Sequence, residues 1–264
     1  MGMISEAMNR PTPNPPAEPA TERLPPHKVL KDYYGEEQAR RPYIDHLFDV
    51  SARHYDWITG MMSFGSGRWY RRQALLRAGL EKDMRLLDVG CGTGVITGLA
   101  QEIVGPGGEV VALDPSMGML REARARHHAR AVQAVGERLP FPDGYFDRLS
   151  MGYALRHVAD LREAFAEYRR VLRPGGQLLL LEITRPASKV AYYPLKGYLK
   201  YVVPTLTRAV RRSRDAQELM SYYWETIEHC VPPARILAAL DEAGLTGVER
   251  YVELGIFSEY RATR

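Results

Sequence analysis

Cysteine is scarce in this chain: Cys91 and Cys230 are the only two among 264 residues. Two cysteines cannot build the disulfide framework of a small secreted protein, and neither lies in a Cys-x-x-Cys pair or Cys/His cluster typical of a metal site. Runs of about 18 apolar residues, long enough to cross a membrane, are missing, as is the apolar stretch of a secretory signal. The sequence therefore predicts a cytoplasmic protein without a bound metal, either soluble or peripheral at the inner membrane.

A strong charge imbalance is absent as well. The formal net charge is +4, which permits an anionic partner without requiring one. No recognisable RNA-binding module accompanies the basic residues, so we expect no nucleic-acid partner. The length suffices for one substantial core with additions.

Composition divides the chain into three parts. Residues 1–26 hold seven prolines and few large apolar side chains, so they cannot bury enough surface to offset the entropy lost on ordering. We predict a disordered, Pro-rich tail for residues 1–27. Residues 28–80 follow a helical pattern rich in aromatic side chains and arginines, which predicts an N-terminal helical cap. Residues 81–264 form the predicted main domain, with a basic insertion at 185–229.

Apolar runs and helical patterns alternate regularly from residue 84 onward. Strands separated by helices indicate parallel crossover units, and their repetition predicts a doubly wound, Rossmann-like α/β sheet. The predicted strands are Met84 to Val89, Val110 to Leu113, Ala131 to Val135, Phe146 to Met151 and Gln177 to Ile183. In such a sheet, ligands bind beyond the carboxyl ends of the strands.

The turn after the first predicted strand reads Asp-Val-Gly-Cys-Gly-Thr-Gly over residues 88–94. Its glycines allow positive φ angles and let the backbone approach a nucleoside-bearing ligand closely. Asp114 ends the second predicted strand, 20 residues after Gly94, where a carboxylate can accept both hydroxyls of a ribose. It could also cap the helix that begins near Pro115. Nicotinamide enzymes use a similar turn, so these residues predict a nucleoside site without choosing the cofactor.

Two further segments point to one cofactor. Residues 48–71, FDVSARHYDWITGMMSFGSGRWYR, and residues 153–158, YALRHV, resemble motifs of the ubiquinone/menaquinone C-methyltransferases of the UbiE type. The resemblance covers most of residues 43–260. It implies S-adenosylmethionine as cofactor and the seven-stranded sheet of class I methyltransferases, with the last two strands near 248–251 and 255–261.

The resemblance also implies roles for individual residues. The implied cofactor-binding residues are Asp88, Gly90, Gly92, Gly94, Asp114, Pro115, Glu137 and Tyr153. The implied substrate-pocket residues are Tyr55, Met62 and Tyr223. Near the adenine, where the family has Asn-Ala-Glu or Asp-Ala-Glu, this chain has Val135-Gly136-Glu137, so a side-chain acceptor for the adenine amine is either missing or replaced by Glu137.

Arg156 and His157 are the candidates for catalysis. Methylation of a ring carbon is easier when a neighbouring phenol ionises, and a cation beside the phenolate favours that form. Arg156, which aligns with an arginine of the family, suits this role. His157 has an ordinary pKa of about 6.5 and suits a base near neutral pH. Each also has a plainer interpretation: Arg156 could pair with Asp160, and His157 could be an ordinary loop histidine.

The segment from Ile183 to Arg214 contains eight basic residues and no acidic ones, interleaved with tyrosines and aliphatic side chains. The basic residues are Arg185, Lys189, Lys196, Lys200, Arg208, Arg211, Arg212 and Arg214. A basic amphipathic segment can rest on an anionic membrane surface, which would suit a lipid-tailed substrate. It can equally be the solvated face of a helix that covers the core. Class I methyltransferases often carry a substrate lid at this position.

We therefore predict an S-adenosylmethionine-dependent methyltransferase that C-methylates a phenolic or quinol ring of a prenylated quinone precursor. The first alternative is methylation of another small acceptor, such as a phospholipid amine or a natural-product phenol. The second is a cofactor-binding partner protein without turnover, because Thr59, Gly60 and Val135 depart from the family pattern. The sequence is compatible with a homodimer but does not specify the oligomeric state.

Overall fold

The computed structural model describes residues 23–62, 66–211 and 214–264. Its strands are β1 (Arg85–Val89), β2 (Glu109–Asp114), β3 (Arg130–Gln133), β4 (Phe146–Gly152), β5 (Leu172–Ile183), β6 (Thr246–Glu253) and β7 (Phe257–Thr263). They form one sheet in the order β3-β2-β1-β4-β5-β7-β6. Strands β1 to β5 are parallel, whereas β7 runs antiparallel to β5 and β6. The predicted seven-stranded α/β sheet is confirmed.

Helices surround this sheet. The α-helices of the described residues are α1 (Lys31–Tyr34), α2 (Glu37–Met62), α3 (Gly67–Arg77), α4 (Val95–Val104), α5 (Met117–His127), α6 (Leu161–Val171), α7 (Lys189–Gly197), α8 (Val203–Arg211), α9 (Arg214–His229) and α10 (Pro233–Glu242). A 3-10 turn covers Leu155–His157, and a π-helical turn, Tyr198–Val202, joins α7 to α8. No helix of the described residues is long and apolar enough to cross a membrane.

Alternating side chains of the strands build two apolar layers. Leu87 and Leu178 face α6 and α10, while Leu86 and Leu179 face α3 and α4. Since both faces of the sheet are covered, its central strands are continuously apolar. The strand order reverses between β1 and β4, which opens a crevice at their carboxyl ends.

A further apolar core lies beside the sheet and joins the N-terminal helices to the insertion at 185–229, which we call the lid. Its buried members include Ile44 and Leu47 of α2. From the lid they include Leu199 and Val203, together with Leu219, Tyr222 and Trp224 of α9, which is the last helix of the lid. The sequence assigned the cap and the lid to separate elements. In the structure their apolar faces cover each other, so the two pack as one helical layer.

The end of the predicted tail needs a correction. Leu24 is buried in the main core, and its backbone carbonyl accepts a hydrogen bond from Leu161. His27 is also buried and forms a β-bridge with Cys230. Residues 24–27 therefore belong to the fold, because two anchoring side chains sit inside a Pro-rich composition. Residues 1–22 lie outside the described residues.

Candidate active site

Three glycines with positive φ connect β1 to α4: Gly90 at 63°, Gly92 at 56° and Gly94 at 86°. Residues with a Cβ are strained in this left-handed region. A Cβ on Gly90 would also lie 2.5 Å from the Cβ of Ala154, on the loop after β4. The glycines therefore allow the loops after β1 and β4 to approach each other closely.

Asp88 lies behind this turn. Its buried carboxylate accepts hydrogen bonds from Thr97 Oγ1 on α4 (2.7 Å) and from Ser150 Oγ on β4 (2.9 Å). Burial raises the pKa of Asp88 to about 6, although both hydrogen bonds act in the opposite direction. Asp88 and Gly94 are set back from the wall of the neighbouring cavity, so their contacts support the turn itself.

A cavity of about 330 Å³ opens at the carboxyl ends of β1, β2 and β4, and we call it the first cavity. Its wall brings together most of the residues predicted for ligand binding. These are Gly90, Gly92, Asp114, Pro115, Glu137, Tyr153, His157 and Tyr55. Helix α2 closes one side with Ile44, Asp45 and Phe48. The sequence did not single out these three side chains.

Asp114 ends β2 and faces the first cavity. One of its carboxylate oxygens accepts a hydrogen bond from the Gly92 amide and the other from the Ser116 amide, both at 2.9 Å. Burial raises the pKa of Asp114 to about 6; the two amides oppose the rise, and nearby Asp88 adds to it. Each oxygen keeps a further lone pair, so the ionised carboxylate can also accept the two hydroxyls of a ribose.

Asp49 of α2 connects the helical layer to the loop between β2 and α5, beside Asp114. Its Oδ1 accepts hydrogen bonds from Ser116 Oγ and, at 2.8 Å, from the Gly118 amide at the start of α5. A Cβ on Gly118 would lie 2.8 Å from the backbone oxygen of Asp49, so only glycine allows this approach. Asp49 is the second residue of the family-like segment 48–71, and that segment was the sequence signal that could have identified it.

Glu137 lies beside Gly136 in the wall of the first cavity, near the apolar side chains of Pro115 and Met119. One of its carboxylate oxygens accepts a hydrogen bond from the Ala159 amide. This bond ties the loop after β3 to the loop after β4. The second oxygen is available to an exocyclic amine, while Pro115 and Met119 offer apolar contact to a flat ring.

A second cavity of about 390 Å³ adjoins the first. Its wall is mainly aromatic and aliphatic, from α3, the lid and the turn between β6 and β7. The lining side chains include Trp69, Tyr70, Arg71, Leu195, Tyr198, Leu199, Tyr223, Leu254 and Phe257. Of the predicted substrate-pocket residues, Tyr223 lies here and Tyr55 lies in the first cavity. Met62 ends α2, and its side chain lies outside the described residues.

Tyr153 borders both cavities. Its φ of 64° is left-handed, which is uncommon for a residue with a bulky side chain. The Tyr153 amide donates to the Leu181 carbonyl (2.7 Å), and its own carbonyl accepts from Arg156 Nη2 (3.2 Å). These bonds hold the strained backbone and fix the ring at the junction of the two cavities.

Arg156 is fully buried and lies in the wall of neither cavity. Its Nε donates to Glu182 Oε1 (2.9 Å), and its Nη1 donates to Thr226 Oγ1 on α9 (2.9 Å). Burial acts to lower the pKa of Arg156, but Glu182 and Tyr223 raise it above its ordinary value. The alternative pairing with Asp160 is wrong, because Asp160 caps α6 by accepting from the Arg162 amide (2.8 Å).

His157 is packed among aromatic rings. Its ring centre lies 5.1 Å from that of Phe48 and 5.7 Å from that of Tyr222. Neither ring nitrogen has a hydrogen-bond partner among the described residues. Burial lowers the pKa of His157 well below its ordinary value, and the cations Arg156 and Arg40 lower it further. A histidine in this setting is neutral at neutral pH and resists accepting a proton, which weakens the case for a base.

Known proteins match this chain over most of its length. Residues 35–263 match the family described as the ubiE/COQ5 methyltransferase family. A ubiquinone/menaquinone biosynthesis C-methyltransferase of Pseudomonas paraeruginosa is 32% identical over 248 residues, covering 91% of this chain and 93% of its own length. A demethylmenaquinone methyltransferase of Mycolicibacterium vanbaalenii is 34% identical over 219 residues, covering 83% and 93%.

Solved structures agree on the architecture. A SAM-dependent methyltransferase from Thermotoga maritima superimposes with a TM-score of 0.58 at 19% identity, covering 83% of this chain and 98% of its own. At that identity the likeness shows the fold alone, which is the class I methyltransferase fold.

Glu182→Gln removes the charge that faces Arg156 and keeps the side-chain shape. We expect the free energy of unfolding to fall by about 3 to 5 kcal/mol, because a buried guanidinium is left without its counter-charge. Denaturant unfolding followed by circular dichroism measures the loss. Glu249→Gln is the matched control, since Glu249 pairs with Arg261 and its side chain is 59% exposed; its loss should stay below about 1 kcal/mol. Equal losses would contradict the buried pairing of Arg156 with Glu182.

The pKa of Asp114, about 6, makes ligand affinity depend on pH. If Asp114 is the ribose partner, the ribose hydroxyls donate to its ionised carboxylate, so we expect full affinity above this pKa and a loss of affinity as the pH falls through it. At about pH 5 we expect S-adenosylhomocysteine to bind about tenfold more weakly than on the plateau, because about nine-tenths of the carboxyl is protonated. Calorimetry across pH measures this.

Asp114→Asn should weaken binding and flatten the pH profile. Asp143→Asn serves as the control, because its side chain is 75% exposed and Asp143 does not line either cavity. An Asp114→Asn protein that keeps the affinity and the pH profile would rule out Asp114 as the ribose partner.

Proposed function

We propose the reaction of this chain on the basis of its family. The chain belongs to the ubiE/COQ5 methyltransferase family. S-adenosylmethionine is its cosubstrate, and the reaction is C-methylation in quinone biosynthesis. We propose as acceptor a phenolic or quinol ring that carries a prenyl tail, by analogy with the relatives named for ubiquinone, menaquinone and demethylmenaquinone.

The observation that supports this most is the meeting of two different cavities at Tyr153. The first cavity offers a carboxylate, a glycine turn and apolar faces, which suit a nucleoside joined to an amino acid. The second cavity offers aromatic and aliphatic walls, which suit an aromatic ring with an apolar tail. We propose that the cosubstrate lies in the first cavity and the acceptor in the second.

The proposed cosubstrate contacts follow the walls. Asp114 accepts the ribose hydroxyls, Glu137 faces the adenine amine, and Pro115 packs on the adenine. Gly90 and Gly92 present the backbone to the methionine part, with Tyr153 beside the sulfur. Asp88 and Gly94 hold the turn in shape.

Bound S-adenosylmethionine supplies a methyl group on a positively charged sulfur, which is already electrophilic. The protein must therefore align the acceptor carbon with that methyl group and keep water from lying between them. Aromatic side chains of the second cavity hold a flat ring, while α2 and α9 pack over the junction near Tyr153. We propose that the reaction depends on this positioning.

The alternative acceptors fit the second cavity less well. A phospholipid amine belongs to a polar, zwitterionic headgroup, which the mainly aromatic and aliphatic wall of the second cavity matches poorly. A phenol without a tail would leave much of the apolar wall uncovered. A binding partner without turnover is disfavoured, because the relatives reported above are named as methyltransferases.

Transfer of labelled methyl groups tests the acceptor. We expect transfer to a prenylated demethyl-quinol, and weak or no transfer to phosphatidylethanolamine or to an unprenylated phenol. Leu195→Trp, which fills the second cavity, should lower kcat/KM for the prenylated acceptor at least about tenfold while S-adenosylhomocysteine still binds. Leu76→Trp on the exposed side of α3 is the control. Transfer only to another acceptor would refute the proposed substrate.

The lid presents an apolar face to solvent. Its exposed side chains are Val190, Tyr193, Tyr201, Val202, Leu206 and Val210. Lys196 and Lys200 turn inward to Glu228 (3.1 Å) and Glu225 (2.9 Å) of α9, whereas Lys189 and Arg208 form no ion pair within the described ranges. We propose that this face rests on an anionic membrane surface, with the protein otherwise in the cytoplasm. The homodimer stays a prediction.

Flotation with anionic liposomes tests this contact. Each basic side chain near an anionic surface contributes about 1 kcal/mol, so Lys189→Gln combined with Arg208→Gln should weaken association roughly thirtyfold. Arg121→Gln combined with Arg124→Gln removes the same charge from α5 and serves as the control. Equal weakening in both variants, or none in either, would exclude the lid as the contact surface.

A further inference from the structure

We propose that Arg71 is the cation that stabilises the ionised phenol of the acceptor during methyl transfer. The sequence assigned this role to Arg156, whose guanidinium is engaged by Glu182, Thr226 and the Tyr153 carbonyl behind the cavity walls. Arg71 lies in the wall of the second cavity. The inference rests on the proposed C-methylation of a phenolic ring.

Helix α3 carries Arg71 to the junction of the two cavities. Its guanidinium carbon lies 4.8 Å from the centre of the Tyr153 ring. Tyr153 is the residue that borders both cavities. Within the described ranges, Arg71 makes no hydrogen bond or ion pair with a protein acceptor. Its N–H groups can therefore donate to a ligand oxygen that lies beside Tyr153.

Acidic groups close to this cavity are engaged elsewhere. Glu253 lines the second cavity but lies 3.9 Å from Arg77 Nη2, and Glu259 also pairs with Arg77. Asp88 is held by Thr97 and Ser150. An anionic ligand oxygen would thus be the counter-charge of Arg71.

Tyrosines complete the surroundings of Arg71. These tyrosines come from several elements around the junction. They are Tyr55 of α2, Tyr70 of α3, Tyr153 after β4, and Tyr198 and Tyr223 of the lid. Burial raises the pKa of Tyr55, Tyr70 and Tyr153, so these hydroxyls stay neutral and do not compete for the charge of Arg71.

In the proposed reaction, Arg71 acts on the ionised form of the acceptor. The acceptor phenol loses its O–H proton to solvent water, and Arg71 holds the resulting phenolate. The ring carbon next to the phenolate forms a bond to the methyl carbon as the carbon–sulfur bond breaks, and the electron pair of that bond stays on sulfur. The same ring carbon then loses its hydrogen as a proton to solvent, which restores the aromatic ring.

A pH profile of kcat with a prenylated demethyl-quinol tests Arg71. A cation within about 4 to 6 Å lowers the pKa of an acid by about one to three units. In Arg71→Met we therefore expect the midpoint of the profile to rise by at least about one unit, with a loss of at least about tenfold in kcat near neutral pH. Arg71→Lys keeps the charge and should restore much of both. Arg72→Met, at the exposed neighbouring position of α3, is the control.

Binding of S-adenosylhomocysteine separates the outcomes. Unchanged affinity in Arg71→Met shows that the first cavity is intact, so the kinetic loss is assigned to the acceptor side. If wild-type protein methylates the quinol and Arg71→Met keeps the same midpoint, Arg71 is excluded and the proposed function stands. If Arg71→Met fails to fold, Arg71→Gln decides: it also removes the charge but keeps a polar side chain, so the proposal predicts the same rise of the midpoint, and an unchanged midpoint excludes Arg71. Wild-type protein that methylates no phenolic acceptor overturns both proposals.

Discussion

The buried ion pair between Arg156 and Glu182 fixes the geometry on which both cavities depend. Glu182 lies at the end of β5, Arg156 lies in the turn after β4, and the same guanidinium also bonds Thr226 of α9. Its Nη2 donates to the carbonyl of Tyr153, whose backbone is left-handed. One buried cation thus joins the sheet, the loop at the switch point and the helical layer, and it fixes the ring that separates the two cavities.

The helical layer closes the site from the other side. Cap and lid share one apolar core, and Asp49 links that layer to the Ser116 hydroxyl and the Gly118 amide at the start of α5, beside the proposed ribose site. The ligand walls are therefore shared between sheet loops, which carry polar groups, and helices, which carry aromatic ones. This division matches a reaction between a polar cosubstrate and an apolar acceptor, in which the protein mainly aligns two ligands and excludes water.

Local patterns made the sheet, the glycine turn and Asp114 predictable. Apolar runs and turn residues specify strands over a few positions, and Asp114 follows from its place at the end of a strand. Partners of buried charges are not local: Glu182 is 26 residues from Arg156, and Thr226 is 70 residues away. Whether Arg156 or Arg71 faces the acceptor depends on how α3 packs, and the burial of His157 depends on Phe48 and Tyr222, which are distant in sequence.

The central claim is that methyl transfer takes place where the first cavity meets the second, beside Tyr153. A crystal structure with S-adenosylhomocysteine and a prenylated quinol analogue tests it most directly. We expect the ribose on Asp114, the sulfur beside Tyr153 and the analogue's ring in the second cavity, with a phenol oxygen on Arg71. A sulfur atom directed away from the second cavity, or an analogue bound elsewhere, would contradict it.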